Sequence, residues 1–134
     1  MTAPDLWSQR SVGIKLWGLA QDPHAIALTF PSLSEANAKG DAHGRHQFFQ
    51  EHQLHLLKLM TEDDEWDDVL HDFVTELGGA KQLLQRIQAL DPKRYWVVIN
   101  IPTSDAWCGN GHRLSRHTLA LLNDLNTDLS INYF

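Results

Sequence analysis

The sequence predicts a single α+β domain: a mainly antiparallel sheet of 4–5 strands packed with three to four helices, in the order β-α-(β)-β-α-α-β-α-β. Three observations support this. Residues 11–19 alternate between apolar and polar, residues 66–77 carry an apolar stripe at helical spacing, and residues 95–101 form a nearly apolar, β-branched run. With 134 residues, 43% of them hydrophobic, the chain can bury one core, and residues 1–134 are expected to form one domain.

The first half of the chain combines clear and weak patterns. The alternation over 11–19 predicts the first strand, and the Asp22-Pro23 pair predicts the cap and first position of a short helix. Residues 32–45 are small and polar, which predicts a long loop, with a short edge strand left open. Residues 52–59 are predicted as a strand, although the spacing of the apolar residues around them fits neither the helical nor the strand period.

The second half is more regular, beginning with a helix whose apolar stripe is formed by Trp66, Val69, Leu70, Phe73 and Leu77. Thr61 or Asp63 is the expected cap of this helix, and Gly78-Gly79 is the expected stop. A second helix over 83–90 should end at Asp91-Pro92.

After the apolar strand of residues 95–101, Ser115 is expected to cap the last helix. Its predicted core face is Leu119, Leu122 and Leu125. The alternating segment LSINYF, residues 129–134, predicts a final strand.

Charge and termini exclude several classes of protein. The net charge is −6, from 11 basic and 17 acidic residues, and no basic cluster is denser than Lys93-Arg94, so nucleic acid is not an expected partner. No segment has the composition of an export signal or of a membrane span, so no membrane partner is expected. A single cysteine, Cys108, excludes an internal disulfide and favours a cytoplasmic location.

Four histidines, His43, His46, His52 and His55, suggest a metal site, but their spacing is unsuitable. The closest string, HQFFQEH, has two residues too many for the zinc signature, and on a strand His52 and His55 would lie on opposite faces. No metal or other cofactor is therefore expected.

Nucleophilic catalysis is conceivable at Cys108, with His112 four residues further on and a predicted helix following. No phosphate-binding glycine pattern and no nucleophile elbow accompany them, and Gly-Asn-Gly is a sufficient turn signal. The favoured interpretation is a turn, and no catalytic residue is assigned.

The string EDDEWDD at 62–68 has six carboxylates in seven residues. Acidic residues stabilise a helix start, so a solvated first turn is the simplest interpretation. The excess of acid, continued by Asp72 and Glu76, favours a protein-binding patch as the second interpretation. A cation site is the third, although the spacing is not that of an EF-hand.

Five tryptophans are many for a chain of this length, and four of them can be assigned to the core or the surface. Trp17 and Trp96 lie in predicted strands and Trp66 lies on the helix stripe, so all three are expected to pack in the core. Trp107, in a polar loop, is the expected surface tryptophan and would suit a binding hot spot.

Five pieces of the sequence together resemble a family of small, mainly bacterial α+β domains, the domain of unknown function 4279 family. They are Trp17-Gly18 at the end of the first strand, the Asp22-Pro23 helix start, Lys39-Gly40-Asp41, GHRLS at 111–115, and LSINYF at 129–134. The resemblance implies no catalytic residues. It implies a function in toxin systems, because such domains occur as neutralising partners of bacterial toxins.

The first hypothesis is thus an immunity-type protein, not an enzyme, that binds and neutralises a cognate toxin or effector domain with a basic surface. Its expected partner-binding residues are Glu62, Asp63, Asp64, Glu65, Asp67, Asp68, Asp72, Glu76 and Trp107. One alternative is a small-ligand-binding domain or enzyme that uses the histidine-rich segment 43–55 or Cys108 and His112. Another is a homodimer that pairs through residues 129–134.

Overall fold

A computed structural model describes residues 9–104 and 114–134, and within them it confirms the predicted fold class. In chain order the elements are β1 (Ser11–Leu19), α1 (Pro23–Ala27), β2 (Leu33–Asn37), β3 (His52–Leu59), α2 (Trp66–Glu76), α3 (Ala80–Leu90), β4 (Arg94–Ile101), α4 (Arg116–Asp124) and β5 (Asp128–Tyr133). None of the described helices is long and apolar enough to cross a membrane.

The five strands form one sheet in the order β2-β3-β1-β4-β5. Neighbouring strands are antiparallel except β4 and β5, which are parallel and connected through α4. The predicted loop over 32–45 contains β2. This is the short edge strand that the sequence allowed but did not require. The final strand, β5, lies at the opposite edge.

One face of the sheet is covered by helices. The alternate strand residues on this face join the apolar residues of the helices in one buried cluster, which includes Val12, Ile14, Leu16, Leu54, Leu56, Val97 and Ile99 from the strands and Ile26, Phe73, Leu83 and Leu122 from the helices. All of these are at most 8% exposed. Burial of this apolar surface is the main favourable term in folding.

The strand residues that alternate with these buried ones point away from the helices and form what we call the open face of the sheet. It carries Ser11, Gly13, Lys15 and Trp17 of β1, Glu35 and Asn37 of β2, Gln53, His55 and Leu57 of β3, Trp96, Val98 and Asn100 of β4, and Ser130 and Asn132 of β5. Leu57 and Val98 are buried there, outside the helix-side cluster. Both the helix-covered and the open face thus exclude water from their centres.

The stripe predicted for α2 is confirmed, but its cap is not. Trp66, Phe73 and the other stripe residues are buried, whereas the cap residue is Glu65, without a side-chain hydrogen bond. Asp64 instead accepts a hydrogen bond from the N–H of Thr61 at 2.8 Å, which stabilises the turn before the helix. The Gly78-Gly79 stop is confirmed, because both glycines have positive φ angles of 106° and 89°.

The core face predicted for α4 is partly wrong. Ser115 does cap the helix, since its Oγ accepts the N–H of Thr118 at 3.1 Å. Leu122 and Leu125 are buried, but Leu119 is 50% exposed, and Leu121 and Thr118 lie in the interior instead. The predicted face contains only leucines, whereas the buried stripe begins with Thr118, whose hydroxyl donates a hydrogen bond to Asp67.

Two of the three tryptophans expected in the core are elsewhere. Trp66 is buried as predicted, but Trp17 and Trp96 are only half-buried, on the open face. The alternation of β1 and β4 places them opposite the helix-side residues. The expectation that these two strand tryptophans pack in the core is therefore wrong, because both lie on the face of the sheet away from the helices.

Gly13, in the middle of β1, is required by its neighbours on β3. A Cβ atom at this position would lie 2.4 Å from the Leu56 carbonyl oxygen and 2.6 Å from His55 Nε2. Real Cβ atoms do not approach other atoms so closely. The missing side chain therefore allows the His55 imidazole to lie across β1.

We predict that Gly13→Ala destabilises the fold by about 1–3 kcal/mol, the usual cost of overpacking. Because one clash is with backbone, rotation of a side chain cannot relieve it. Urea unfolding of the wild type and the variant measures the difference. Equal free energies of unfolding would contradict this packing.

Candidate functional site

The predicted partner-binding acids divide into two groups in the structure. Six are exposed and surround the beginning of α2: Glu62, Asp63, Asp64, Glu65, Asp68 and Asp72. We call these six residues the acidic surface. Within residues 9–104 and 114–134, no lysine or arginine forms an ion pair with any of them.

The other two acids have partners within the fold. Glu76 forms an ion pair with Lys58 of β3. Asp67 is only partly exposed and accepts hydrogen bonds from the hydroxyls of Ser115, at 3.0 Å, and Thr118. These two acids therefore have structural contacts that the sequence pattern did not indicate.

Asp67 joins two helices at their first turns. Ser115 donates its hydroxyl to Asp67 and accepts the N–H of Thr118, so the cap of α4 is itself held by α2. A carboxylate at this end of α4 also interacts favourably with the helix dipole. The contact fixes the start of α2, and with it the acidic surface, relative to α4.

A pair of histidines lies beside this contact. The rings of His71 and His117 are stacked with centroids 3.7 Å apart, and His71 Nε2 is 3.3 Å from Thr118 Oγ1. Burial lowers the pKa of His71, and the neighbouring His117 lowers it further. This region is thus a second, polar contact between α2 and α4.

Three predicted candidates, Trp107, Cys108 and His112, lie outside the described residues. The histidine-rich segment 43–55 is described, and its members separate. His52 Nδ1 accepts the N–H of Lys39 at 2.9 Å, while His43 and His55 line a cavity and His46 is exposed. Among the described residues, no three His, Cys, Asp or Glu side chains are placed to hold a metal ion.

The cavity has a volume of about 490 Å³ and lies between the open face and the hairpin formed by residues 38–51. Hydrogen bonds across the hairpin hold it in place, among them Gly40 N to Phe49 O at 2.9 Å and His43 N to Gln47 O at 2.8 Å. A volume of this size is within the range of small-molecule sites. We call it the open-face cavity.

A row of side chains crosses the floor of the open-face cavity. In strand register Glu35 of β2 lies beside His55 of β3, His55 beside Lys15 of β1, and Lys15 beside Trp96 of β4. The Lys15 Nζ is 5.9 Å from the centroid of the Trp96 ring, so the amino group reaches toward β4. Oppositely charged residues thus lie at the two ends of the row Glu35, His55 and Lys15.

His55 is the most unusual member of this row. It is 8% exposed, and its Nε2 atom is buried without a hydrogen-bond partner among the described residues. Burial, followed by the charge of Lys15, lowers the pKa of His55 to about 4. At neutral pH the imidazole is therefore uncharged.

The low pKa of His55 makes the fold sensitive to acid. Its ordinary value is 6.5, so between pH 6.5 and about 4 the unfolded chain binds a proton that the folded chain does not. The stabilisation that the neutral ring contributes is fully present above pH 6.5. It is lost as the pH falls to about 4, and the total loss is about 3 kcal/mol.

Sequence reasoning missed this row because Lys15, His55 and Glu35 occupy ordinary polar positions of alternating strands. One signal was available. A glycine inside a strand, here Gly13, often marks a close approach, and the close neighbour is His55.

No protein-family model matches the chain, and no curated protein or solved structure is significantly similar to it. The resemblance to the domain of unknown function 4279 family therefore depends on the sequence motifs alone.

We predict that Asp67→Ala lowers the free energy of unfolding by about 1–3 kcal/mol, because two hydroxyl groups lose their acceptor. Asp68→Ala, a neighbouring exposed acid of the same helical turn, is the matched control and should cost about 0.5 kcal/mol or less. Chemical denaturation measures both. A cost of equal size in the two variants would contradict the structural role of Asp67.

Proposed function

We propose that this chain is an immunity-type protein that binds a cognate toxin or effector domain and neutralises it, without catalysis of its own. The observation that carries the proposal is the acidic surface: six exposed carboxylates around one helix start, with no described lysine or arginine paired to them. The favoured partner is a protein with a basic surface.

Electrostatics supports this choice of partner. Carboxylates concentrated on one surface, in a chain of net charge −6, repel nucleic acid and attract a basic protein. Such charges mainly increase the rate of association and select the partner. Because the acids are exposed, their effect should weaken as salt is added.

Two exposed leucines are chain neighbours of the residues that join α4 to α2. Leu114 and Leu119 are 41% and 50% exposed, and they adjoin Ser115 and Thr118, the two residues whose hydroxyls bind Asp67. Interfaces combine an apolar centre with a polar rim. The two leucines would supply the desolvated contact, and the acidic surface would supply specificity.

The hydrogen bonds of Asp67 support the same proposal in another way. Because α2 and α4 are joined at their first turns, the acids and the two leucines are presented on a fixed support. A preorganised surface loses less entropy on binding. The motifs shared with the domain of unknown function 4279 family also favour a neutralising role, and a cytoplasmic location suits it.

The partner is to be isolated first, by affinity capture from the native host at low salt, elution with a salt step and mass spectrometry. The proposal expects one stoichiometric protein with a basic surface, whose toxicity in the host is suppressed by this chain. Capture of no such protein would contradict it.

We predict that the double variant Asp68→Asn/Asp72→Asn binds that partner about tenfold more weakly at low salt, and that its affinity depends less on salt. The matched control is Asp124→Asn/Asp128→Asn, which makes the same change in charge at the far end of α4 and the start of β5. Binding is measured by calorimetry at two salt concentrations. Equal losses in both variants, or none in either, would contradict a role for the acidic surface.

A further inference from the structure

The open-face cavity lies on the side of the sheet opposite the helices, so it is separate from the acidic surface. Its floor is formed by β1, β2 and β3, and its cover is the hairpin of residues 38–51. The described residues that line it supply three apolar aromatic rings, three side-chain amides, two imidazoles and one pair of opposite charges. The chemistry of this lining determines which class of ligand fits.

Aromatic rings lie on both sides of the cavity. Trp17 contributes from the sheet, and Phe48 and Phe49 contribute from the hairpin. Phe48 is 57% exposed, which is unusual for so large an apolar side chain. The ring of His43 lies against Phe49, with centroids 4.4 Å apart. Because aromatic faces stack on planar rings, these walls favour a flat ligand.

Two side-chain amides lie beside Trp17 on the cavity floor. In strand register Asn37 of β2 is directly opposite Gln53 of β3, and Gln53 is directly opposite Trp17 of β1. Side chains paired in this way are neighbours on one face of the sheet. Within residues 9–104 and 114–134, neither amide makes a side-chain hydrogen bond, whereas Gln50 of the hairpin donates to the Phe48 carbonyl oxygen at 3.1 Å. Each of the two floor amides can therefore offer a donor and an acceptor to a ligand.

The charges at the cavity balance one another. Burial lowers the pKa of Lys15, and the opposite charge of Glu35, the acid of the same lining, partly offsets this effect. Lys93 lies beside the Trp17 ring, with its Nζ 5.8 Å from the centroid, and it is paired with Glu51 at 2.6 Å. Each of these cations thus has an acid of its own. The lining accordingly favours an uncharged ligand.

The imidazole of His55 is a further uncharged polar group of the lining. Its low pKa keeps the ring neutral at pH 7, and its buried Nε2 has no hydrogen-bond partner among the described residues. Buried polar atoms in native proteins usually have a partner or a functional reason to lack one. The inner end of the cavity is therefore polar but carries no additional charge.

An adenine base meets these three requirements, since it is flat, uncharged and polar at its edge. Asparagine and glutamine amides pair with this edge through two hydrogen bonds, one accepted from the amino group and one donated to the neighbouring ring nitrogen. Bases also stack on aromatic side chains. Guanine is less suitable, because the corresponding edge presents two acceptors, which arginine and lysine match better.

We propose that the open-face cavity binds an uncharged adenine base, free or as its nucleoside. The base would lie between Trp17 and the phenylalanines of the hairpin, with its polar edge at Asn37 and Gln53. The proposal does not depend on the neutralising function. It is carried by the cavity, its aromatic walls, the two floor amides and the balance of charge.

The test uses adenosine and adenine as probes, with purine riboside as the matched control for adenosine. Purine riboside has the same ring and sugar but a hydrogen atom in place of the amino group. Each compound is titrated into the full chain and followed by two-dimensional NMR. From the usual binding energy per non-hydrogen atom, adenosine should bind with a Kd of about 0.1 mM or tighter. We predict that it binds at least about fivefold more tightly than purine riboside, because the paired contact with an amide is lost.

Two further compounds define the ligand. Tighter binding of adenosine than of adenine would identify the nucleoside as the ligand, and equal binding would identify the free base. Adenosine 5′-monophosphate should gain less than about tenfold over adenosine, because the cations at the cavity already have acids beside them.

Glutamine variants locate the site. Gln53→Leu replaces the amide by an apolar group of similar size and should reduce the affinity for adenosine to that of purine riboside. Gln88→Leu, at an exposed position of α3, should change nothing. Thermal unfolding verifies that the variants are folded, and Asn37→Ala replaces Gln53→Leu if the latter is not, with the same loss expected. Phe48→Ala, which removes an exposed ring, should weaken adenosine binding at least about fivefold.

Four results would overturn the proposal: no saturable binding of adenosine, equal binding of adenosine and purine riboside, a gain of about tenfold or more from the phosphate, or full affinity retained by the amide variant. The outcome is distinguishable from failure of the proposed function. Asp68→Asn/Asp72→Asn should leave adenosine binding unchanged, and Gln53→Leu should leave capture of the protein partner unchanged.

Discussion

Helices cover one face of the sheet in the described structure. The two sets of alternate residues in each strand therefore have different surroundings and different roles. On the helix side, alternate residues such as Ile14, Leu56 and Val97 are buried in one apolar cluster. On the other side the same strands are free to carry Lys15 and His55. The apolar cluster stabilises the sheet, and the open face can therefore hold polar and partly buried groups that would destabilise a smaller core.

Within the open face, the approach of His55 to β1 is the tightest constraint. It requires Gly13, and it leaves a neutral imidazole beside a lysine, both lining a cavity. The acidic surface is stabilised differently, by one carboxylate, Asp67, that holds the first turns of two helices together. The two candidate sites thus have separate structural supports on opposite sides of the sheet.

Most elements could be predicted because their periodicity is local. The strands β1 and β4 and the stripe of α2 follow directly from residue spacing, whereas the strand order depends on long-range pairing that no local pattern encodes. The face of α4 was mistaken because Thr118, a polar residue, is buried through its contact with Asp67. The open-face cavity was missed because its residues come from three strands and a polar hairpin.

The most direct measurement of the central claim, that the open face encloses His55 beside Lys15, is the NMR titration of the His55 imidazole in the folded chain. The account predicts that the ring stays neutral down to a pKa of about 4, because burial and the charge of Lys15 oppose protonation. The ring nitrogen shifts should accordingly be constant from pH 8 to well below the ordinary value of 6.5. Protonation of His55 near 6.5 would contradict the claim, since it would place the imidazole in water.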